Sequence, residues 1–227
     1  MKRLIFALLL GVSAILATSC GTKSGLTRGG LYPEMYEEKP VTILVMPPVN
    51  NTNHVEAKDL LYTSIARPVA EAGYYVISPF LSMEVLRAES AYDAELFING
   101  NLDKFKQFFG ADAVIFSVID SWEKQGFGIN TRLRYIIKST KTNEIIFDRA
   151  CDLYLDLSIN SGSGGLVGTL ADLTASALNT ALTAHIQAAR KANAYIFMDI
   201  PRGVYSHEYM NDRDVAADEK NIKRTVK

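Results

Sequence analysis

The chain alternates between short continuous apolar runs, period-two segments and one long stretch of helical spacing. Residues 41–46 are almost wholly apolar and are stopped by Pro47-Pro48, the pattern of a central strand covered on both faces. Residues 49–53 read as a polar loop. Residues 56–72 then place Leu61, Ile65 and Val69 at helical spacing. Pro68 inside that stretch is expected to kink or break the helix, at a cost of about 3 kcal/mol. Gly73 suits a helix C-terminus, residues 74–77 read as the next strand, and short helices are expected over 81–88 and 102–109.

The middle of the chain is β. Residues 113–119 form a second buried run. Over 131–138, Leu133, Tyr135 and Ile137 alternate with Arg132, Arg134 and Lys138. Over 145–157, Ile145, Phe147, Cys151, Leu153, Leu155 and Leu157 share a face broken only by Arg149, opposite Asp148, Asp152, Tyr154 and Asp156. Such patterns, joined by Gly- and Asn-containing turns, describe an antiparallel meander with one solvated face. After a Ser/Gly loop at 159–165, residues 166–191 read as one long helix with Leu166, Leu170, Leu173, Ala177, Ala181, Ala184 and Ala188 on one stripe. A stripe so rich in alanine suits close approach to the sheet, or to another helix or subunit. The fold class expected is α/β or α+β, a mixed sheet with helices packed on it.

The two ends carry different information. Lys2 and Arg3 precede an apolar stretch that closes in Leu16-Ala-Thr-Ser-Cys20, a signal peptide over 1–19 too short for a membrane span of about 20 residues. Its last five residues resemble a bacterial lipobox. That resemblance implies a lipid-modified Cys20 as the mature N-terminus, with an ordinary signal peptide as the alternative. Gly21, where Asp would favour the inner membrane, points to the outer membrane, and no acidic cluster follows to suggest surface export; the periplasmic face is expected. Acyl chains worth about 0.8 kcal/mol per buried methylene would make the anchoring effectively permanent. Residues 20–30 read as the lipidated tether, the ten after Cys20 reaching about 30 Å when stretched. A single domain is expected over 31–210, with a charged, frayed tail over 211–227.

Composition excludes more than it assigns. With 24 Lys and Arg against 25 Asp and Glu, nothing points to a nucleic-acid partner. Loss of 1–19 leaves 22 basic against 25 acidic residues, a formal charge of −3. The three histidines, His54, His185 and His207, have no metal-ligand spacing, and no cofactor is implied. Cys151 lies on an apolar strand face and reads as a core side chain. The loop at 160–165 could offer backbone N–H groups to an anion, but it lacks the P-loop ending and reads better as a connector. No catalytic constellation is present, and the chain is read as a non-enzyme.

At Tyr32-Pro-Glu-Met-Tyr36, Pro47-Pro-Val-Asn-Asn-Thr52 and Pro68-Val-Ala-Glu-Ala-Gly-Tyr-Tyr-Val76 the sequence resembles a family of bacterial lipoproteins of unknown function, the neisserial surface-antigen type. The resemblance continues through Gly110-Ala-Asp112, Ile119-Asp-Ser-Trp122 and Gly203-Val-Tyr-Ser-His-Glu-Tyr209, covering most of the mature chain. It departs in the tail, where two expected prolines are missing. The resemblance implies an α/β domain similar to the TolB N-terminal domain and to the lipoprotein CsgG. It also implies an envelope complex with a CsgG-like lipoprotein, and supplies no catalytic residues.

The expectation is therefore a periplasm-facing outer-membrane lipoprotein, an accessory or scaffold in envelope secretion or assembly. Its partners would be other envelope lipoproteins, secretion-channel components or further copies of itself. The interaction residues expected are Tyr32, Pro33, Tyr36, Pro47, Pro48, Asn50, Asn51, Tyr205, His207 and Tyr209, with the long helix as a further surface. A regulator of peptidoglycan synthesis is one alternative. A small-ligand or glycan binder is another, using Tyr32, Tyr36, Tyr74, Tyr75 and Trp122 gathered around a pocket.

Overall fold

A mixed seven-stranded sheet, obtained as a computed structural model that describes residues 25–158 and 174–227 (side chains of 174–181 excepted), organises the chain. Cys20 with its signal segment, the loop at 159–165 and the first part of the predicted long helix lie outside the described residues. Strand β1 (Thr42–Val45) pairs in parallel with β3 (Tyr75–Val76) on one side and β4 (Ala113–Gln125) on the other. The meander then continues antiparallel through β5 (Gly128–Ser139) and β6 (Ile145–Asp156). The path β3-β1-β4-β5-β6-β7 ends on the parallel strand β7 (Asn221–Val226).

The continuous apolar run of β1 is explained by its two covered faces. Ile43 and Val45 enter one core while Leu44 and Met46 enter the other, and β4 divides likewise between Ala113, Ile115 and Ile119 on one side and Val114 and Phe116 on the other. The double proline interrupts the ladder without turning the chain away. Pro47 and Pro48 have no N–H to give, yet Met46 N–H bonds Ile115 O at 2.9 Å and Asn51 N–H bonds Ile119 O at 2.9 Å. Between them β2 (Val49–Asn50) resumes pairing with β4, so the expected polar loop begins as a strand.

Helices α1 (Arg28–Leu31) and α2 (Pro33–Glu38) precede β1, and α3 (Val55–Glu71) crosses from it to β3. The stripe Ala57, Leu61, Ile65 and Val69 of α3 is buried. Pro68 does not break this helix as expected: it lies in the last turn, where only three residues follow before the end at Glu71. Gly73 follows with φ of +95°, as a glycine past a helix end should. A Cβ there would stand 2.6 Å from Ser206 N, so the position requires glycine both for its backbone and for the close approach of the 203–206 segment.

Helices α4 (Pro79–Ala88), α5 (Glu95–Ile98) and α6 (Asp103–Phe109) cover the second face over β1 and β4. The long helix α7 (Thr174–Phe197) lies with α3 on the first face and runs six residues past its predicted end. Its buried Ala184, Ala188 and Ala192 let it sit close to both the sheet and α3, so the alanine stripe serves sheet packing and helix packing together. The fully buried Asn193 locks it in place, accepting from the Tyr135 hydroxyl and donating to Ser64 Oγ at 2.8 Å.

Both ends depart from expectation. The tether's last residues belong to the fold: Thr27 bridges Ala216, Gly29 N–H bonds Arg213 O at 2.8 Å, and Arg28 is buried. The 211–227 segment is not frayed. It carries β7, whose Ile222 is buried against the core, and a buried Asp212. The strand leaves no period-two pattern in the sequence, because only Ile222 and Val226 turn inward while Lys223, Arg224 and Thr225 face water. Charges on an exposed edge strand are what discourage edge-to-edge pairing.

Candidate functional site

The six short motifs fall into structural groups. Three meet at the end of the molecule where the tether enters. Arg28, fixed by the α1 turn, places Nη1 3.0 Å from Asp212 Oδ2 and Nη2 3.2 Å from Met198 O. The same Asp212 oxygen accepts from Arg202 N–H at 2.9 Å. Tyr36 of α2 stands against that carboxylate, and Tyr74 donates its hydroxyl to Pro201 O at 2.6 Å. The 203–209 segment docks on the end of α3, with Gly203 N–H on Ala72 O at 2.9 Å and Tyr205 N–H on Gly73 O at 3.0 Å. Burial, reinforced by the nearby Asp212, pushes the Tyr36 phenol far above its ordinary value. Burial likewise pushes Tyr32 up to about 12, against the opposing Arg149. These are neutral, packed phenols, and their chemistry is that of a mount: the 25–38 strap is clamped to the C-terminal segment.

Two more motifs meet at the carboxyl end of β2. Asn50 accepts from Thr52 N–H at 3.1 Å and donates to His54 O at 2.8 Å, closing the loop that leads into α3. Asn51 Nδ2 reaches Asp120 Oδ1 at 3.1 Å, aided by the register shift between Ile119 and Ser121. Two residues on, Trp122 Nε1 donates to His185 Nδ1 of α7 at 2.8 Å. His54 completes the group, its ring 5.4 Å from that of His185. The sixth motif is a brace: Asp112 accepts from Val41 N–H at 3.0 Å and Thr42 N–H at 2.9 Å and pairs with Lys106. Burial pushes its carboxyl upward, but these donors outweigh that and hold it below the usual range.

Most of the residues expected to meet partners are therefore interior. Tyr32, Tyr36, Pro47 and Pro48 are buried, Pro33 begins α2 half-buried, and Asn50 and Tyr209 are half-buried. Asn51, Tyr205 and His207 are exposed. The aromatic pocket expected for a glycan binder is not formed, because Tyr32, Tyr36, Tyr74 and Trp122 are packed into the core while Tyr75 stands in solvent. Cys151 is buried as expected, and burial pushes its thiol up to about 11, the opposite of an activated nucleophile.

An exposed apolar surface lies on the other face, on helices that none of the six motifs touches. Leu81 and Val85 are one turn apart on α4, 63% and 43% exposed, and Phe108 of α6 is 68% exposed. Val85 and Phe108 line a cleft of about 360 Å³ floored by Leu86, Phe97 and Phe105 and edged by Glu89 and Lys104. A second cleft of about 440 Å³, lined by Pro47, Lys58, Arg87 and Tyr92, lies beyond the carboxyl end of β1 between α3 and α4. Among the described residues no helix is long and apolar enough to cross a membrane.

A family model described as "Putative lipoprotein GNA1162-like" matches residues 31–200. The chain belongs to this family. Within the GNA1162-like family it is similar to the "Putative lipoprotein NMB1124/NMB1162" of Neisseria meningitidis serogroup B, 27% identical over 208 residues that make up 88% of this chain and 92% of that protein. Among solved structures, the lipoprotein GNA1162 from Neisseria meningitidis aligns with 63% of this chain and 97% of its own, at 23% identity and a TM-score of 0.48. A PelC dodecamer from Paraburkholderia phytofirmans aligns with 78% of this chain and 94% of its own, at 12% identity and a TM-score of 0.40.

Proposed function

We propose that this GNA1162-like lipoprotein is a non-enzymatic docking module, held by lipid on Cys20 at the periplasmic face of the outer membrane. In this reading it is an accessory in envelope secretion or assembly. Its partners are other envelope lipoproteins or secretion-channel components, a CsgG-like lipoprotein among them. The observation that carries the reading is the solvent-facing apolar surface of Leu81, Val85 and Phe108 beside an open cleft. Surface of that kind in a folded domain is characteristic of protein contacts. The mount supports it too. Leu26, Thr27 and Arg28 are already bound into the fold, so the tether expected over 20–30 is shortened from its far end. A domain held that close presents a restricted set of orientations.

Leu81→Glu combined with Phe108→Glu tests this. Both side chains are largely exposed, so thermal stability is expected to stay near that of the parent. The reading predicts that the parent, extracted from cells in mild detergent, migrates on native gels as a species larger than the single chain, and that the double variant migrates as the single chain. An unchanged native-gel pattern would sink the reading.

A further inference from the structure

We propose that Trp122, His185 and His54 form an acid-released latch that holds the long helix α7 to the sheet and to the Pro47–His54 loop. The geometry is directional. An indole N–H can only donate, so the 2.8 Å bond from Trp122 Nε1 requires a bare lone pair on His185 Nδ1. Imidazolium carries a proton on both nitrogens, so protonating His185 turns this acceptor into a second donor and breaks the bond. The His54 ring lies beside it, tilted, with centroids 5.4 Å apart, and opposes a positive charge on His185. The loop carrying His54 is itself tied to β4 through Asn51 and Asp120, so one titration acts on three elements.

The surroundings settle which state is favoured. Burial disfavours a charge on His185, and His54 and Lys124 act in the same direction, with Glu56 opposing them; the imidazole is held below its ordinary value of 6.5. At this level β5 and β6 face α7 with Ile129, Thr131, Leu153 and Leu155, none of them ionisable. The helix itself carries no charged residue from Ala181 to Ala189. The latch is thus closed while His185 is neutral, and its contribution is lost as pH falls below 6.5.

Trp122 is the sole tryptophan of the chain and is 1% exposed, so its emission reports the latch alone. Full-length mature lipoprotein in detergent, titrated from pH 8 to pH 4.5, is expected to show a reversible red shift and stronger acrylamide quenching, with a midpoint below 6.5. Far-UV circular dichroism should stay constant through that step. His185→Gln keeps an acceptor for the indole but cannot titrate, and should abolish the step. His54→Gln, which leaves the Trp122–His185 bond in place, should move the midpoint upward. A flat emission profile, a step that survives His185→Gln, or a step that coincides with loss of far-UV signal would each overturn the latch.

Discussion

Asp199→Ala is expected to lower the stability of this protein by about 3–5 kcal/mol, the usual cost of stranding one partner of a buried ion pair. Its carboxylate pairs with Arg149 Nη2 at 2.6 Å, with side-chain exposures of 6% and 0%. The same oxygen accepts from Asp218 N–H at 2.9 Å, tying the segment before β7 to the end of α7. Arg149 comes from the middle of β6, so without Asp199 a guanidinium would remain in the core with only Ile196 O, 3.4 Å away. For a domain of this size, the loss corresponds to a melting temperature lower by about 6–20 °C. The paired replacement Arg149→Met with Asp199→Leu should recover most of it, because two apolar side chains leave no buried charge behind. Thermal unfolding of the single and double variants checks both parts. A single variant within about 1 kcal/mol of the parent would refute the assignment.

Asp212→Ala is the second large effect, of similar size in energy but different in kind. Arg28 Nη1 and Arg202 N–H both rely on Asp212 Oδ2, and the Asp212 side chain is fully buried. Removing it should cost about 3–5 kcal/mol and release the strap of α1 and α2 before the sheet melts. Limited trypsin digestion is the discriminating measurement. Cleavage after Arg28, protected in the parent by burial and by the Gly29 to Arg213 backbone bond, should become the first cut in the variant. Equal protection in parent and variant would show that Asp212 is not what clamps the strap.

These two residues also mark where reading the sequence succeeds and where it stops. Strands β1, β4, β5 and β6 and helix α3 were legible because their burial repeats with a period the residues display. Ile43 and Leu44 belong to opposite faces of one covered strand, and Leu133 and Arg134 to opposite faces of a half-covered one. Arg149 was visible as the break in an otherwise apolar face, but its partner lies 50 residues away and no local pattern connects them. Asp212 was hidden in a charged, aperiodic stretch where nothing distinguishes a buried carboxylate from a solvated one. Asn193 was hidden likewise among the polar residues of α7.

The site was legible in one respect and not in another. The motifs at Pro47–Thr52 and Ile119–Trp122 were singled out separately, and the fold brings them together through Asn51 and Asp120. What the motifs do could not be read from residue type. Tyrosines and prolines that look like interaction residues are, at 32, 36, 47 and 48, the packing of the mount and of the β1–β2 junction. The apolar surface of Leu81, Val85 and Phe108 lies on helices whose exposed and buried apolar residues look alike in sequence.

The measurement that tests the docking account most directly is photo-cross-linking in living cells. A photoreactive residue is placed at Phe108 in the full-length lipoprotein, and as a control at Lys223 on the exposed edge strand. The account predicts a specific adduct with another envelope protein from Phe108, identified by mass spectrometry, and none from Lys223. Adducts from neither position, or the same adducts from both, would contradict it.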